Sequence, residues 1–205
     1  GDNYEDYSEK NYGNNNVTGP EASHGTHVAG IIGATRNNNI GMNGVATDVK
    51  LMIIRAVPNG DERDKDVANA IWYATDNGAR VINMSFGKSF SPGKKYVDEA
   101  IQYAASKDVL IVHASGNDAS NIDESPNYPY PVYLSSGTRE PAWIEVGAIS
   151  SSGDAASFSN YGPKTVDVFA PGVKIYSTLP GGVYDFQNGT SMAAPVVTGV
   201  AAMIR

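Results

Sequence analysis

Apolar residues along the 205-residue chain fall into two patterns. Continuous runs of strand length occupy residues 49–57 (VKLMIIRAV), 80–86 (RVINMSF), 109–113 (VLIVH) and 142–149. Two shorter runs, 166–169 and 174–178, flank Pro171-Gly172. Runs without polar alternation predict strands buried on both faces. Between them the spacing turns helical: Val67, Ala70, Ile71 and Ala74 share one face of residues 66–76, and Val97, Ala100, Ile101 and Ala104 share one face of 94–106. Asn77-Gly78 predicts a left-handed cap for the first of these. Two further helices are built of small residues: 24–34 (HGTHVAGIIGA), with Ser23 as an N-cap candidate, and a stretch that opens at Ser191 and runs through Ala193–Ala202. Loops are predicted over 1–20, 36–44 (RNNNIGMNG) and 118–141, and a turn over 58–61.

Strands alternating with helices at this spacing imply a mostly parallel sheet with helices on both faces, a three-layer α/β/α architecture. No internal repeat or linker divides the chain, so residues 1–205 read as one domain. In such a sheet ligands bind beyond the carboxyl ends of the strands. Asn83–Gly87 follows the second strand there, and Ala114–Asn117 follows the third.

Composition narrows the chemistry. Hydrophobic residues make up 41% and charged residues 18%, a folded globular balance. The formal charge is −7 and basic residues do not cluster, which argues against nucleic acid as a partner. Cysteine is absent, so disulfides, thiol catalysis and cysteine-ligated zinc are excluded. No run of ~18 apolar residues predicts a membrane span. Residues 1–10 are polar and acidic, unlike a signal peptide. Neither G-x-x-x-x-G-K-[ST] nor a strand-borne G-x-G-x-x-G occurs, which removes the nucleotide-binding reading of an α/β chain.

What remains is a serine, a histidine and an amide at one rim. Ser191 lies where a helix N-terminus offers free N–H groups to developing negative charge, although Gly-Thr-Ser alone also fits a capping serine before a core helix. His24 opens a helix in the same way. His27 and His113 read as core residues. The His24–His27 pair lacks the third ligand that zinc requires. A hydroxyl that attacks, an imidazole that takes its proton and an amide that stabilises an oxyanion are the parts of acyl transfer.

These residues resemble the subtilisin-like serine proteases. His24–Gly30 (HGTHVAG) is similar to the block around that family's catalytic histidine, Ala114–Asn117 to the block ending in its oxyanion-hole asparagine, and Gly189–Pro195 (GTSMAAP) to the block around its nucleophile. Further similarity runs through 80–87, 156–163 (ASFSNYGP) and 166–180, so the resemblance covers nearly all of 22–205. It implies a serine endopeptidase acting through an acyl-enzyme. Ser191 is then the nucleophile, His24 the general base, and the Asn117 amide with the Ser191 N–H the oxyanion hole. It also implies that polypeptide substrates lie between two edges. Ser85, Phe86 and Gly87 with Ala114, Ser115 and Gly116 frame a roomy pocket for apolar or aromatic side chains. Gly60, Asp61 and Glu62 form the second edge, where acidity favours basic residues upstream of the cut. The 36–44 loop resembles the family's structural calcium site, with the Asn38 side chain and the carbonyls of Arg36, Ile40 and Met42 as ligands. No organic cofactor is implied. The family setting implies a secreted or cell-envelope protein and a pro-segment or upstream segment as a further partner.

One family part has no counterpart. The triad order is Asp, His, Ser, yet no apolar strand ending in aspartate precedes His24, and Asp2 and Asp6 lie in polar loop sequence. The expectation is a fragment that begins after the aspartate, lacks the first strand, stops inside its last helix and is nearly inactive alone. The alternative is a pseudo-protease that binds peptides without cutting them.

Overall fold

The computed structural model describes residues 6–9, 12–57 and 60–205. Its helices are α1 (Ser23–Gly33), α2 (Asp64–Asp76), α3 (Lys94–Ser106) and α4 (Thr190–Ile204). Its strands are β1 (Val81–Met84), β2 (Leu110–Ala114), β3 (Trp143–Ile149), β4 (Val168–Pro171), β5 (Ile175–Leu179) and β6 (Val183–Gln187). The first four strands form one parallel sheet in the order β1-β2-β3-β4. The last two form an antiparallel hairpin.

The strand runs bury both faces, as their lack of alternation requires. Ile82, Met84, Ile111 and Trp143 pack against Val67, Ile71, Val97 and Ile101 of α2 and α3. On the other face Val112, Ala114, Val146 and Ala148 pack against Ala193 and Ala194 of α4. Val28, Ile31 and Ile32 of α1 meet Met192 in a third cluster. The three layers are those expected, and α3 has the bounds the spacing predicts.

Small residues let α1 come close to the hairpin. A Cβ on Gly30 would lie 2.2 Å from Thr178 Oγ1 and 2.4 Å from Ser177 Oγ. Those hydroxyls instead donate to the Thr26 and His27 carbonyls at 2.8 and 2.7 Å, tying β5 to the helix.

Several expectations are corrected. Residues 49–57 are not a buried strand. They pair with no strand among the described residues, and Leu51, Met52 and Ile53 are 41%, 42% and 50% exposed. An apolar run becomes a strand only where a neighbour offers a free edge for its backbone groups; here the run is held through Val49, which packs on α1. Ser23 is the first residue of α1 rather than its cap, which is Ala22. The strands expected at 166–169 and 174–178 lie slightly later, as β4 and β5. Strand β6 was not expected. The 58–61 turn falls partly outside the described residues.

Candidate active site

The first turn of α4 is built by two stretches far apart in sequence, Gly189–Ser191 and Gly116-Asn117. Gly189 precedes the helix at φ +146°, a conformation that L side chains rarely adopt. Thr190 follows, 1% exposed. Its N–H and its hydroxyl both donate to Asn117 Oδ1, at 2.9 and 3.0 Å, and its hydroxyl accepts from the Gly116 N–H at 3.1 Å. Two donors on Oδ1 fix which end of the Asn117 amide is which. The Nδ2 end is left to donate outward from an exposed residue. Ser191 comes next, and its own N–H belongs to the first turn, where helix amides lack acceptors. The Asn117 amide and the Ser191 N–H are thus at one helix N-terminus, as an anion-stabilising site requires.

Ser191 is half-buried and gripped from the β1 side. Its hydroxyl donates to the Ser85 carbonyl at 3.1 Å. In return the buried Ser85 hydroxyl donates to the Ser191 carbonyl at 2.9 Å. That carbonyl is open because its helical donor would be residue 195, which is proline and has no N–H. Asn83 Nδ2 donates to Ser85 Oγ at 2.9 Å, and Asn83 Oδ1 accepts from Thr198 Oγ1 at 2.8 Å, so the chain of bonds returns to α4.

His24 lies one turn before Val28, in the helix whose apolar face meets Met192. It is exposed, yet enough protein surrounds it that desolvation, followed by repulsion from His27, lowers its pKa below 6.5. Among the described residues no carboxylate is paired with it and no hydrogen bond joins it to Ser191. Asp6 accepts from Ser8 instead, and Asp2 lies outside the described residues. His27 is buried, with Nε2 3.1 Å from the Asp185 carbonyl. His113 is buried as well. Both are core residues, as expected. No group of three or more His, Cys, Asp or Glu among the described residues could hold a metal ion.

The two expected substrate edges meet through Lys88. Its ammonium donates to the Glu62 carbonyl at 2.6 Å and pairs with Asp64 at 2.8 Å. Gly60 and Asp61 are exposed, but Glu62 is 5% exposed and its Oε1 has no partner. Burial raises its pKa. The acidic edge expected at 60–62 is therefore corrected: only Asp61 presents its charge outward. Ala114 and Ser115 are buried and Gly116 half-buried at the end of β2.

Arg36 to Gly44 folds into a tight loop around a cavity of about 220 Å³ lined by Asn37 to Asn43. Asn38 Oδ1 accepts from the Ile40 N–H at 3.0 Å, and Arg36 reaches across to the Gly44 carbonyl. The donor set that Asn38 and the carbonyls of Arg36, Ile40 and Met42 offer contains oxygen but no carboxylate.

Three residues without an expected role organise the rim. Thr190 orients Asn117. Asn160 donates to the Ser115 carbonyl at 2.8 Å and accepts from the Asp118 and Ser120 N–H groups at 2.9 and 3.0 Å. Asn127 donates to the Ala114 carbonyl at 3.2 Å and lies where a Cβ on Gly87 would fall. Asn160 stands in the ASFSNYGP stretch, and the resemblance carried by that stretch is the signal that points to it.

The family model described as the subtilase family matches residues 1–205. A thermophilic serine proteinase of Bacillus sp. (strain AK1) is 42% identical over 187 residues, covering 89% of this chain and 42% of that protein. Subtilisin E of Bacillus subtilis (strain 168) is 42% identical over 184 residues, covering 89% of this chain and 45% of the relative. The chain thus spans less than half the length of these two relatives. Among solved structures, a cold-adapted subtilisin-like serine proteinase superposes with a TM-score of 0.73 at 34% identity, covering 89% of this chain and 60% of that one. The prenylagaramide maturation protease PagA superposes at 0.77 and 31% identity, covering 90% and 65%.

Proposed function

The chain belongs to the subtilase family, and from that membership we propose that it is the part of a serine endopeptidase that carries the nucleophile, the base and the oxyanion hole. The observation that carries this reading is the Asn117 amide, held by Thr190 with its donor end free, beside Ser191 at the start of α4. In the reaction Ser191 Oγ attacks the scissile carbonyl while His24 takes its proton. Charge gathers on the carbonyl oxygen, where Asn117 Nδ2 and the Ser191 N–H meet it. His24 then protonates the leaving amine, and water repeats the sequence on the acyl-enzyme. The resting Ser191–Ser85 bond is exchanged for one to His24 when substrate fills the rim. An acid that orients His24 comes from outside the described residues.

The polypeptide substrate lies along Ser85–Gly87, opposite Gly60–Glu62, with its apolar or aromatic side chain over Ala114–Gly116. Release to the cell exterior or envelope goes with such a substrate, and the protein's own pro-segment is a further partner. Calcium is proposed at Arg36–Met42 as a weak structural ion. A site of neutral oxygens beside a guanidinium binds it in the ~10⁻⁴–10⁻³ M range or more weakly, and no catalytic step passes through it.

Treatment with a fluorophosphonate probe and mapping by mass spectrometry tests the reading. Ser191 takes the label, and Ser191→Ala does not. A folded, unlabelled protein that still binds extended peptides supports the pseudo-protease alternative.

A further inference from the structure

Beneath the 85–87 edge lies a buried polar pair that the reaction above does not use. His113 and Glu145 are register partners on β2 and β3, 0% and 1% exposed. Glu145 is fixed by the Trp143 indole N–H, which donates to Oε2 at 2.7 Å. His113 Nδ1 meets the two oxygens of that carboxyl at 2.9 and 3.1 Å. Across the ring, Nε2 lies 2.8 Å from the Phe86 carbonyl. A carbonyl only accepts, so Nε2 carries a proton. Nδ1 faces a carboxyl, so a second proton sits between them, on the ring or on the acid. Either way the pair holds two protons, and its Nε2–H is committed to Phe86.

The place of this contact gives it meaning. The β1–β2 ladder ends at the pair Met84↔His113. Residues 85–87 continue beyond it, where no ladder holds the backbone. Ser85 and Phe86 carbonyls have different partners, Ser191 Oγ and His113 Nε2, so the segment is gripped from the nucleophile side and from the interior. We propose that His113, clamped by Glu145, is a positioning residue that fixes the Phe86–Gly87 peptide group and thereby the edge along which a substrate strand pairs. The last step rests on the hydrolase reading above; the clamp itself does not.

Two isosteric variants separate a clamp from a core residue. His113→Gln keeps an N–H near the Nε2 position, facing Phe86. His113→Asn keeps one near the Nδ1 position, facing Glu145. Both leave a polar side chain in the same space. Gly87 amide hydrogen exchange reads the clamped peptide group directly. It is expected to be ~2–10-fold faster in the Asn variant than in the Gln variant, the span of one neutral hydrogen bond. In active protein the same ordering is expected in KM for a four-residue amide substrate, with the smaller change in kcat. Equal exchange in the two variants, or equal KM in active protein, overturns the proposal. If the unmodified protein neither takes label at Ser191 nor cleaves peptides, the hydrolase reading fails, and the exchange comparison still decides the clamp.

Discussion

The bond from Ser85 to the Ser191 carbonyl exists because residue 195 is proline, and that dependence can be measured. Ser85→Ala removes the donor from a part-buried carbonyl whose helical partner is already missing. A buried acceptor left without a partner costs ~1–3 kcal/mol. For a domain of this length, ~1 kcal/mol moves Tm by ~2–4 °C, so the expected loss is several degrees. In a Pro195→Ala background the new residue 195 N–H takes the carbonyl in the ordinary helical way. There the same Ser85→Ala change is expected to cost only ~0.5–1 kcal/mol, the net worth of one hydrogen bond. Coupling between the two sites is then ~1–2 kcal/mol. Urea denaturation of the four proteins, with midpoints compared at equal slope, gives that number. Fluorophosphonate labelling of Ser191 is expected to slow in Ser85→Ala and recover in the double variant, since the first turn of α4 regains its anchor. Additivity within ~0.3–0.5 kcal/mol refutes the reasoning, because it means that the Ser191 carbonyl does not depend on either partner.

Three further outcomes are expected. Asp64 pairs with Lys88 at 2.8 Å, with side chains 4% and 11% exposed, and also accepts from Ser91 Oγ and the Gly93 N–H at 2.8 and 2.7 Å. Asp64→Ala is therefore expected to lose ~3–5 kcal/mol in chemical denaturation, and a loss below ~1 kcal/mol contradicts the burial of that pair. Glu62 has its pKa raised above 4.5 by burial. Its folded form holds a proton that the unfolded chain has released once the pH exceeds 4.5, so stability falls as pH rises toward the folded value. Glu62→Gln is expected to raise Tm at neutral pH and to lose that gain below pH 4.5; an equal gain at pH 3 contradicts the assignment. His24 has its pKa lowered below 6.5 by desolvation and by His27. Its neutral form persists below pH 6.5 in the folded chain. Below 6.5 the unfolded chain binds a proton that the folded chain does not, so stability drops on acidification until the folded value is passed. His24→Gln is expected to lose that drop, read as the change in Tm between about pH 7 and pH 5, and an equal drop in the variant contradicts this reading of His24.

Local sequence carried the helices well. The Val97, Ala100, Ile101 and Ala104 face predicted α3 to its ends, and the small-residue stretch after Ser191 predicted α4. The hairpin β5–β6 is not legible in the local pattern because β6 is mostly exposed and lacks an apolar run. The usable signal was Gly181-Gly182, both at positive φ between the paired ends Leu179 and Val183. Residues 49–57 failed in the opposite way. Their composition is that of a strand, but composition does not supply a neighbour.

For the site, the sequence by itself determined the chemical groups and their order along the chain. Histidine, asparagine and serine each stand in a block whose residue types suit one step of acyl transfer, and Pro195 dictates that the Ser191 carbonyl has no helical donor. Only the tertiary structure decided what meets those groups. Thr190 finds Asn117 across 73 residues, Ser85 finds Ser191 across 106, and His113 reaches back 27 residues to Phe86. It also turned Glu62 inward and left His24 without a paired carboxylate among the described residues. The division has a simple cause: propensity, capping and proline act within a few residues, whereas burial and hydrogen-bond partners are set by which strand ends and helix termini the packed layers bring to one rim.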